Sequence, residues 1–216
     1  MKNTFLSIAI IFLALSGKSQ SKEFAGAMGE ALGQYASCKT VADMQALGNR
    51  FGLIANAEKS EWLPLYYHSH CYILMSFMEP TDAKKKDEYL DEAEKSIEKI
   101  LALAPNEAEV YVLQGFCYTA RLVVNPMERG QKYSMLSSQS LGKALAMEPG
   151  NPRAKVLKLQ NDMGTARFFG NDPSEYCGQA KELLAKWDDF KPKSPLYPNW
   201  GKDQAEGLVK GCPETK

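Results

Sequence analysis

The 216-residue sequence has few histidines and lacks several motifs that identify hydrolases and metalloenzymes. It has two histidines, and it contains no HExxH, no GxSxG, no phosphate-binding loop of the form GxxxxGKS or GxxxxGKT and no GxGxxG after a strand. These absences exclude the enzyme classes that those motifs identify. We therefore expect no catalytic residues and no cofactor. A helical lyase or hydrolase with an unrecognised site is kept as an unfavoured alternative.

An excess of charge of one sign is also missing. The 26 basic side chains are balanced by 26 acidic ones, so the formal net charge at pH 7 is zero. A chain without a basic excess offers little electrostatic attraction to nucleic acid, and we expect no nucleic-acid partner. Sustained alternation of apolar and polar residues is absent as well, so the sequence predicts no sheet.

Long apolar runs are absent except at the N-terminus, where Phe5 to Leu15 follows Lys2 and precedes the small and polar residues 16–20. A basic start, a short apolar centre and a small-residue exit are typical of a secretory signal, whereas a membrane span needs roughly 20 apolar residues. We predict that residues 1–20 are a cleaved signal peptide and that the mature chain, without a membrane span, is periplasmic or secreted. An uncleaved N-terminal anchor is the alternative.

The five cysteines are odd in number, so at least one thiol stays free if the exported chain forms disulfides. We predict a disulfide between Cys177 and Cys212, because Cys212 lies on a tail rich in proline and glycine that otherwise has little to anchor it. Cys71 and Cys117 fall within apolar helical faces, where buried free thiols are common. The sequence does not assign the state of Cys38.

Three helical patterns end in the same way, with apolar residues followed by a proline at Pro105, Pro149 and Pro192. These prolines are 44 and 43 residues apart, which indicates that one helical unit recurs and stacks on itself. The sequence therefore predicts an all-α array over residues 21–192, followed by an extended segment and a short helix over 193–216. The predicted helix pairs cover about 24–57, 61–103, 107–147 and 152–189.

The unit before Pro149 combines aromatic, small and apolar residues at fixed spacings: Tyr111, Gly115, Tyr118, Leu141 and Ala144. This pattern resembles the tetratricopeptide repeat, in which a small residue between two aromatics lets the first helix of a pair nest against its neighbours. The resemblance covers about residues 60–192. It implies a right-handed superhelix of stacked antiparallel helix pairs with a concave binding face. The period is longer than the usual one of about 34 and matches HEAT-like arrays, which stay an alternative.

By this resemblance, the first helix of each pair lines the concave face. The candidate binding residues on these helices are Tyr67, His70, Glu109, Phe116, Thr119 and Arg167. Arg167 either offers a planar cation to a carboxylate in the groove or meets the terminal carbonyls of its own helix. His68 and Cys71 have the spacing to share a metal ion, but no further ligand is evident nearby, so we predict no metal site.

Together these features predict an exported helical-repeat protein that holds a protein or peptide partner in a concave groove. The groove would act by preorganisation, since rigid stacked helices lose little entropy when an extended ligand docks. A structural subunit of a cell-envelope complex, with contacts through its outer faces, is the alternative.

Overall fold

The computed structural model describes residues 21–213, and every regular element within them is helical. The helices are α1 Lys22–Gly33, α2 Val41–Ala57, α3 Leu63–Met78, α4 Ala83–Leu103, α5 Ala108–Val124, α6 Pro126–Met147, α7 Pro152–Phe168, α8 Cys177–Ala185 and α9 Lys202–Lys210. Short 3-10 turns lie at Tyr35–Ser37, Pro173–Tyr176 and Trp187–Asp189. The predicted all-α class is confirmed for this part of the chain. The predicted signal peptide, residues 1–20, lies outside the described residues.

Local sequence explains where several helices begin. At the start of α2, the Thr40 hydroxyl accepts a hydrogen bond from the Asp43 backbone N–H at 3.1 Å, and the Asp43 carboxylate accepts one from the Thr40 N–H at 2.9 Å. This reciprocal pair satisfies backbone donors that the first helical turn leaves free. Pro126 and Pro152 occupy the first positions of α6 and α7, where the missing N–H of proline has no cost.

From α2 to α7, consecutive helices are joined by short turns and pack side by side, which makes them antiparallel neighbours. The first helices of successive pairs also touch each other, since α5 contacts both α3 and α7. α5 and α6 approach closely at Gly115, where an added Cβ would lie 2.7 Å from Cγ of Leu141. One continuous apolar core runs from Phe24 in α1 to Ala205 in α9. In residues 21–213, no helix combines the length and apolarity that crossing a bilayer requires.

A buried ion pair joins α5 to the start of α7. Glu109 is 1% exposed and Arg153 is 2% exposed, and the Arg153 guanidinium donates hydrogen bonds of 2.6 and 3.0 Å to the Glu109 carboxylate. Asn151 donates a further hydrogen bond of 2.6 Å to the same carboxylate. The Tyr66 hydroxyl of α3 approaches it at 3.4 Å. Burial works against the charged guanidinium, but the hydrogen bonds and charge of Glu109 raise the pKa of Arg153 above its ordinary value.

The chain between α8 and α9 crosses back over the first helices. We call residues 191–201 the crossing segment. The Tyr67 hydroxyl of α3 donates to the Leu196 carbonyl at 2.8 Å, and the Tyr197 hydroxyl donates to the Glu107 carboxylate at 2.7 Å. The predicted short C-terminal helix is α9, which packs on α8. The tail is therefore held by many contacts, contrary to the expectation that it has little to anchor it.

The predicted disulfide between Cys177 and Cys212 is confirmed, with Cα atoms 5.8 Å apart. It ties Cys212, two residues after the end of α9, to the first residue of α8. Cys38, Cys71 and Cys117 are free thiols. Cys71 and Cys117 are fully buried, as their apolar helical faces predict.

We expect the double change Cys177→Ser and Cys212→Ser to lower the free energy of unfolding by about 2–4 kcal/mol, because the bridge restricts the unfolded chain. Urea unfolding of the mature protein measures the loss. A matched control is Cys38→Ser, which removes a thiol that forms no bridge. In unfolded, unreduced protein, alkylation should modify the three free cysteines. Modification of all five would show that the disulfide is absent.

We expect Glu109→Ala to lower the free energy of unfolding by about 3–5 kcal/mol, because it leaves the Arg153 guanidinium buried without its counter-charge. The control is Glu182→Ala, which removes an exposed carboxylate paired with Lys186 and should change stability little. Thermal and urea unfolding, followed by circular dichroism, compare the two variants. Equal free energies of unfolding for the two variants would show that the buried pair contributes no more to stability than an exposed pair.

Candidate functional site

Four aromatic rings from three parts of the chain pack face to face. Phe77 and His70 come from α3, Phe116 comes from α5 and Trp200 comes from the crossing segment. Ring centroids are 5.4 Å apart for Phe77 and Phe116, 5.3 Å for Phe116 and Trp200, and 4.9 Å for Trp200 and His70. The interplanar angles are 22°, 27° and 30° in the same order. We call these four residues the aromatic row.

Helix geometry explains how α3 supplies two members of the aromatic row. His70 and Phe77 are seven residues apart, which is close to two turns, so they lie on one face of α3. α5 lies beside α3 and brings Phe116 between them. Trp200 is not on these helices. Its indole N–H donates to the Tyr66 hydroxyl at 2.9 Å, which fixes the ring over Phe116 and His70.

The aromatic row runs from the interior to the surface. His70 is 4% exposed and Phe116 is 5% exposed, whereas Phe77 is 42% exposed. Val123, seven residues after Phe116 on the same face of α5, is 46% exposed. Phe77 and Val123 therefore extend the row into an open apolar surface that can receive a flat, apolar ligand.

His70 has the chemistry of a metal ligand, but its ring is enclosed. Burial lowers the pKa of His70 to about 3, so the imidazole is neutral at physiological pH. Its Nδ1 lies 3.2 Å from the Tyr35 hydroxyl, and its buried Nε2 has no hydrogen-bond partner. Trp200 stacks on the ring. As arranged, neither ring nitrogen of His70 reaches the open surface.

The side chains around His70 do not converge on a metal site. Nδ1 of His68 pairs with the Ser96 hydroxyl at 2.9 Å, whereas Cys71 Sγ lies 3.3 Å from the Tyr35 hydroxyl. Burial raises the pKa of Cys71 to about 12, which keeps it a neutral thiol. No group of three or more His, Cys, Asp or Glu side chains suited to a metal ion occurs in residues 21–213.

The structure places the six candidate binding residues in different surroundings. His70 and Phe116 belong to the aromatic row, and Tyr67 binds the crossing segment. Glu109 is held inside the molecule by Arg153, so it cannot contact a ligand as we expected. The Thr119 hydroxyl faces α6 and α7 and hydrogen-bonds Ser137 at 3.0 Å and Asn161 at 3.1 Å. Arg167 is exposed at the end of α7.

Sequence reasoning missed Trp200 and Phe77 as site residues. Phe77 lies in an apolar helical pattern with several other aromatics, and aromatics at helical spacing usually belong to a core. Trp200 lies in a segment without helical or strand periodicity, so no pattern connects it with α3 or α5. A signal was nevertheless present, because a tryptophan in a polar tail usually finds an apolar surface to cover.

A separate cleft of about 460 Å³ lies between α6, α7 and the turn at Pro173–Tyr176. Its apolar lining includes Met135 and Phe169, but it also carries the carboxylates of Asp162 and Glu175. Asp162 is paired with Lys158 at 2.6 Å, and Glu175 favours a ligand that is neutral or cationic. The cleft therefore differs in chemistry from the aromatic row, and it shares no lining residue with it.

Comparison with known proteins gives one informative relationship. No protein-family model matches the sequence, including that of the tetratricopeptide repeat, and no curated protein matches it. The solved structure of the HusA haemophore from Porphyromonas gingivalis is similar, with a TM-score of 0.76 and 30% sequence identity. The match covers 90% of this chain and 94% of that one. With this identity over nearly the whole of both chains, the protein belongs to the same family as the HusA haemophore.

Proposed function

We propose that this protein binds haem or a closely related porphyrin on the open end of the aromatic row. The single observation that carries the proposal is that Phe77, Phe116 and Trp200 form stacked, nearly parallel rings that reach the surface. Aromatic and apolar side chains are what a flat macrocycle needs, because stacking and area burial supply its binding energy. Membership of the HusA family supports this ligand class, since HusA is named a haemophore.

The geometry favours binding through the faces of the macrocycle. Phe77 exposes the face of its ring beside Phe116, Val123 exposes apolar surface two turns after Phe116 on α5, and Trp200 stacks on the inner side of Phe116. His70 lies under Trp200, so iron ligation by its Nε2 would require Trp200 to move. The residues of the site therefore hold the ring system, and the haem is cargo.

The structure favours a flat ligand over the peptide that the sequence suggested. An extended segment already lies across α3, and it belongs to the protein itself: Tyr67 binds the Leu196 carbonyl and Tyr66 binds Trp200. A peptide on the same surface would have to displace these contacts. The exposed ring of Phe77 and the rings stacked behind it offer a flat aromatic surface, which suits a compact macrocycle better than an extended chain.

We also propose that the helix pairs form the right-handed superhelix of tetratricopeptide-like arrays and that the protein acts by binding without catalysis. The contacts of α5 with both α3 and α7 support the superhelix. Export to the periplasm or beyond is supported by the disulfide, which persists in oxidising compartments, and by the signal-like N-terminus.

We expect the mature protein to bind haem, with a shift of the Soret band on titration, and Phe77→Ala to weaken binding about tenfold by removing a stacking surface. Phe77 is half exposed, so this change should leave the fold intact. Trp200→Ala should weaken binding at least as much, and the near-UV spectrum of the variant checks that its fold is retained.

The matched control for the haem titration is Phe169→Ala, which removes an equally large and more exposed ring from the cleft between α6 and α7. Its affinity for haem should equal that of the wild type. The proposal is wrong if the wild type does not bind haem. The placement of the site is wrong if Phe169→Ala weakens binding and Phe77→Ala does not.

A further inference from the structure

Arg167 differs from every other arginine of the protein. The sequence has five arginines, and four of them pair with carboxylates in the structure: Arg50 with Glu30, Arg121 and Arg129 with Asp87, and Arg153 with Glu109. The Arg167 side chain is exposed and makes no hydrogen bond or ion pair within residues 21–213. Its five donors are therefore available to a ligand.

Helix geometry places Arg167 close to the face of α7 that meets α5. It is 14 residues after Arg153, close to four helical turns, so both side chains leave α7 on nearly the same side. Arg153 contacts Glu109 of α5, so this side of α7 faces α5. Val123 is also 14 residues after Glu109, so Arg167 and Val123 lie at the same level on neighbouring helices.

This position puts the guanidinium at the edge of the proposed haem site. Neighbouring helix axes are about 8–10 Å apart, so the long Arg167 side chain can reach the surface beside Val123. Phe116 lies two turns deeper on α5, about 10 Å along the axis. Gly164, one turn before Arg167, has nothing within 4 Å of the place where a Cβ would stand, so no side chain blocks the approach.

The charge of the surroundings fits an anion. A porphyrin such as haem carries its carboxylates on short side chains along one edge of the ring. A ring resting on Phe77 and Val123 can turn that edge toward α7, where Arg167 provides two parallel N–H groups that match a carboxylate. The cleft on the other side of α7 has no basic residue among its lining residues, and the carboxylate of Glu175 there would repel the same groups.

We infer that Arg167 is a carboxylate-binding residue that orients the porphyrin and selects ligands with free propionate groups. The inference rests on the proposed function, because it assigns a role within the same site. The aromatic row supplies affinity for the macrocycle, and Arg167 supplies the preference for an anionic edge. Arg167 therefore determines which ligands bind, whereas the four paired arginines stabilise the fold.

The test compares two ligands with the same macrocycle, protoporphyrin IX and its uncharged dimethyl ester, titrated by fluorescence in the same buffer and mild detergent. Wild-type protein should bind the diacid more tightly than the ester. Arg167→Gln should weaken binding of the diacid about fivefold to tenfold and leave binding of the ester unchanged. Arg167→Lys should recover part of the loss, since it keeps the charge but not the paired N–H groups.

The matched control is Lys181→Gln, which removes an exposed cation from α8 and should alter neither affinity. Unchanged melting temperatures would show that both variants are folded. Equal losses for the diacid and the ester, or no loss with Arg167→Gln, would overturn the role of Arg167 while leaving porphyrin binding in place. Failure of wild-type protein to bind either porphyrin would overturn the proposed function itself, and with it this inference.

Discussion

The buried ion pair between Glu109 and Arg153 holds together the parts of the molecule that form the site. Two opposite charges with almost no exposed surface persist only when each has good hydrogen bonds, and Glu109 receives them from Arg153 and Asn151. Tyr66 connects this pair to α3 and accepts the hydrogen bond of Trp200. The positions of α3, α5, α7 and the crossing segment are thus coupled through one polar cluster.

This coupling positions the rings of the aromatic row relative to one another. His70 and Phe77 belong to one helix, but Phe116 and Trp200 are separated from them by tens of residues and by several helices. The crossing segment brings Trp200 back to α3. The disulfide between Cys177 and Cys212 holds α9, the helix after the crossing segment, against α8. A surface that can receive a flat ligand is built from parts that are distant in sequence and rigid in space, which suits a protein that binds by preorganisation.

Several features could be predicted from the sequence because their causes are local or repeated. Thr40 and Asp43 begin α2 through a capping pair four residues long, and Gly115 lies where α5 approaches Leu141 of α6. The pairing of Cys177 with Cys212 was also predicted, although the reason given for it was incomplete. The tail is anchored by the hydrogen bonds of Tyr67 and Glu107 with Leu196 and Tyr197, in addition to the disulfide.

Glu109 and Trp200 mark the limit of sequence reasoning here. A glutamate on a first helix and a tryptophan in a proline-rich tail have no periodic pattern that names their partners, Arg153 and Tyr66. The sequence by itself determined the helices, their pairing and the free or bridged state of most cysteines, since these depend on short-range spacing and burial. Only the tertiary structure decided which polar groups face inward and which rings meet at the surface, because those contacts join residues far apart in the chain.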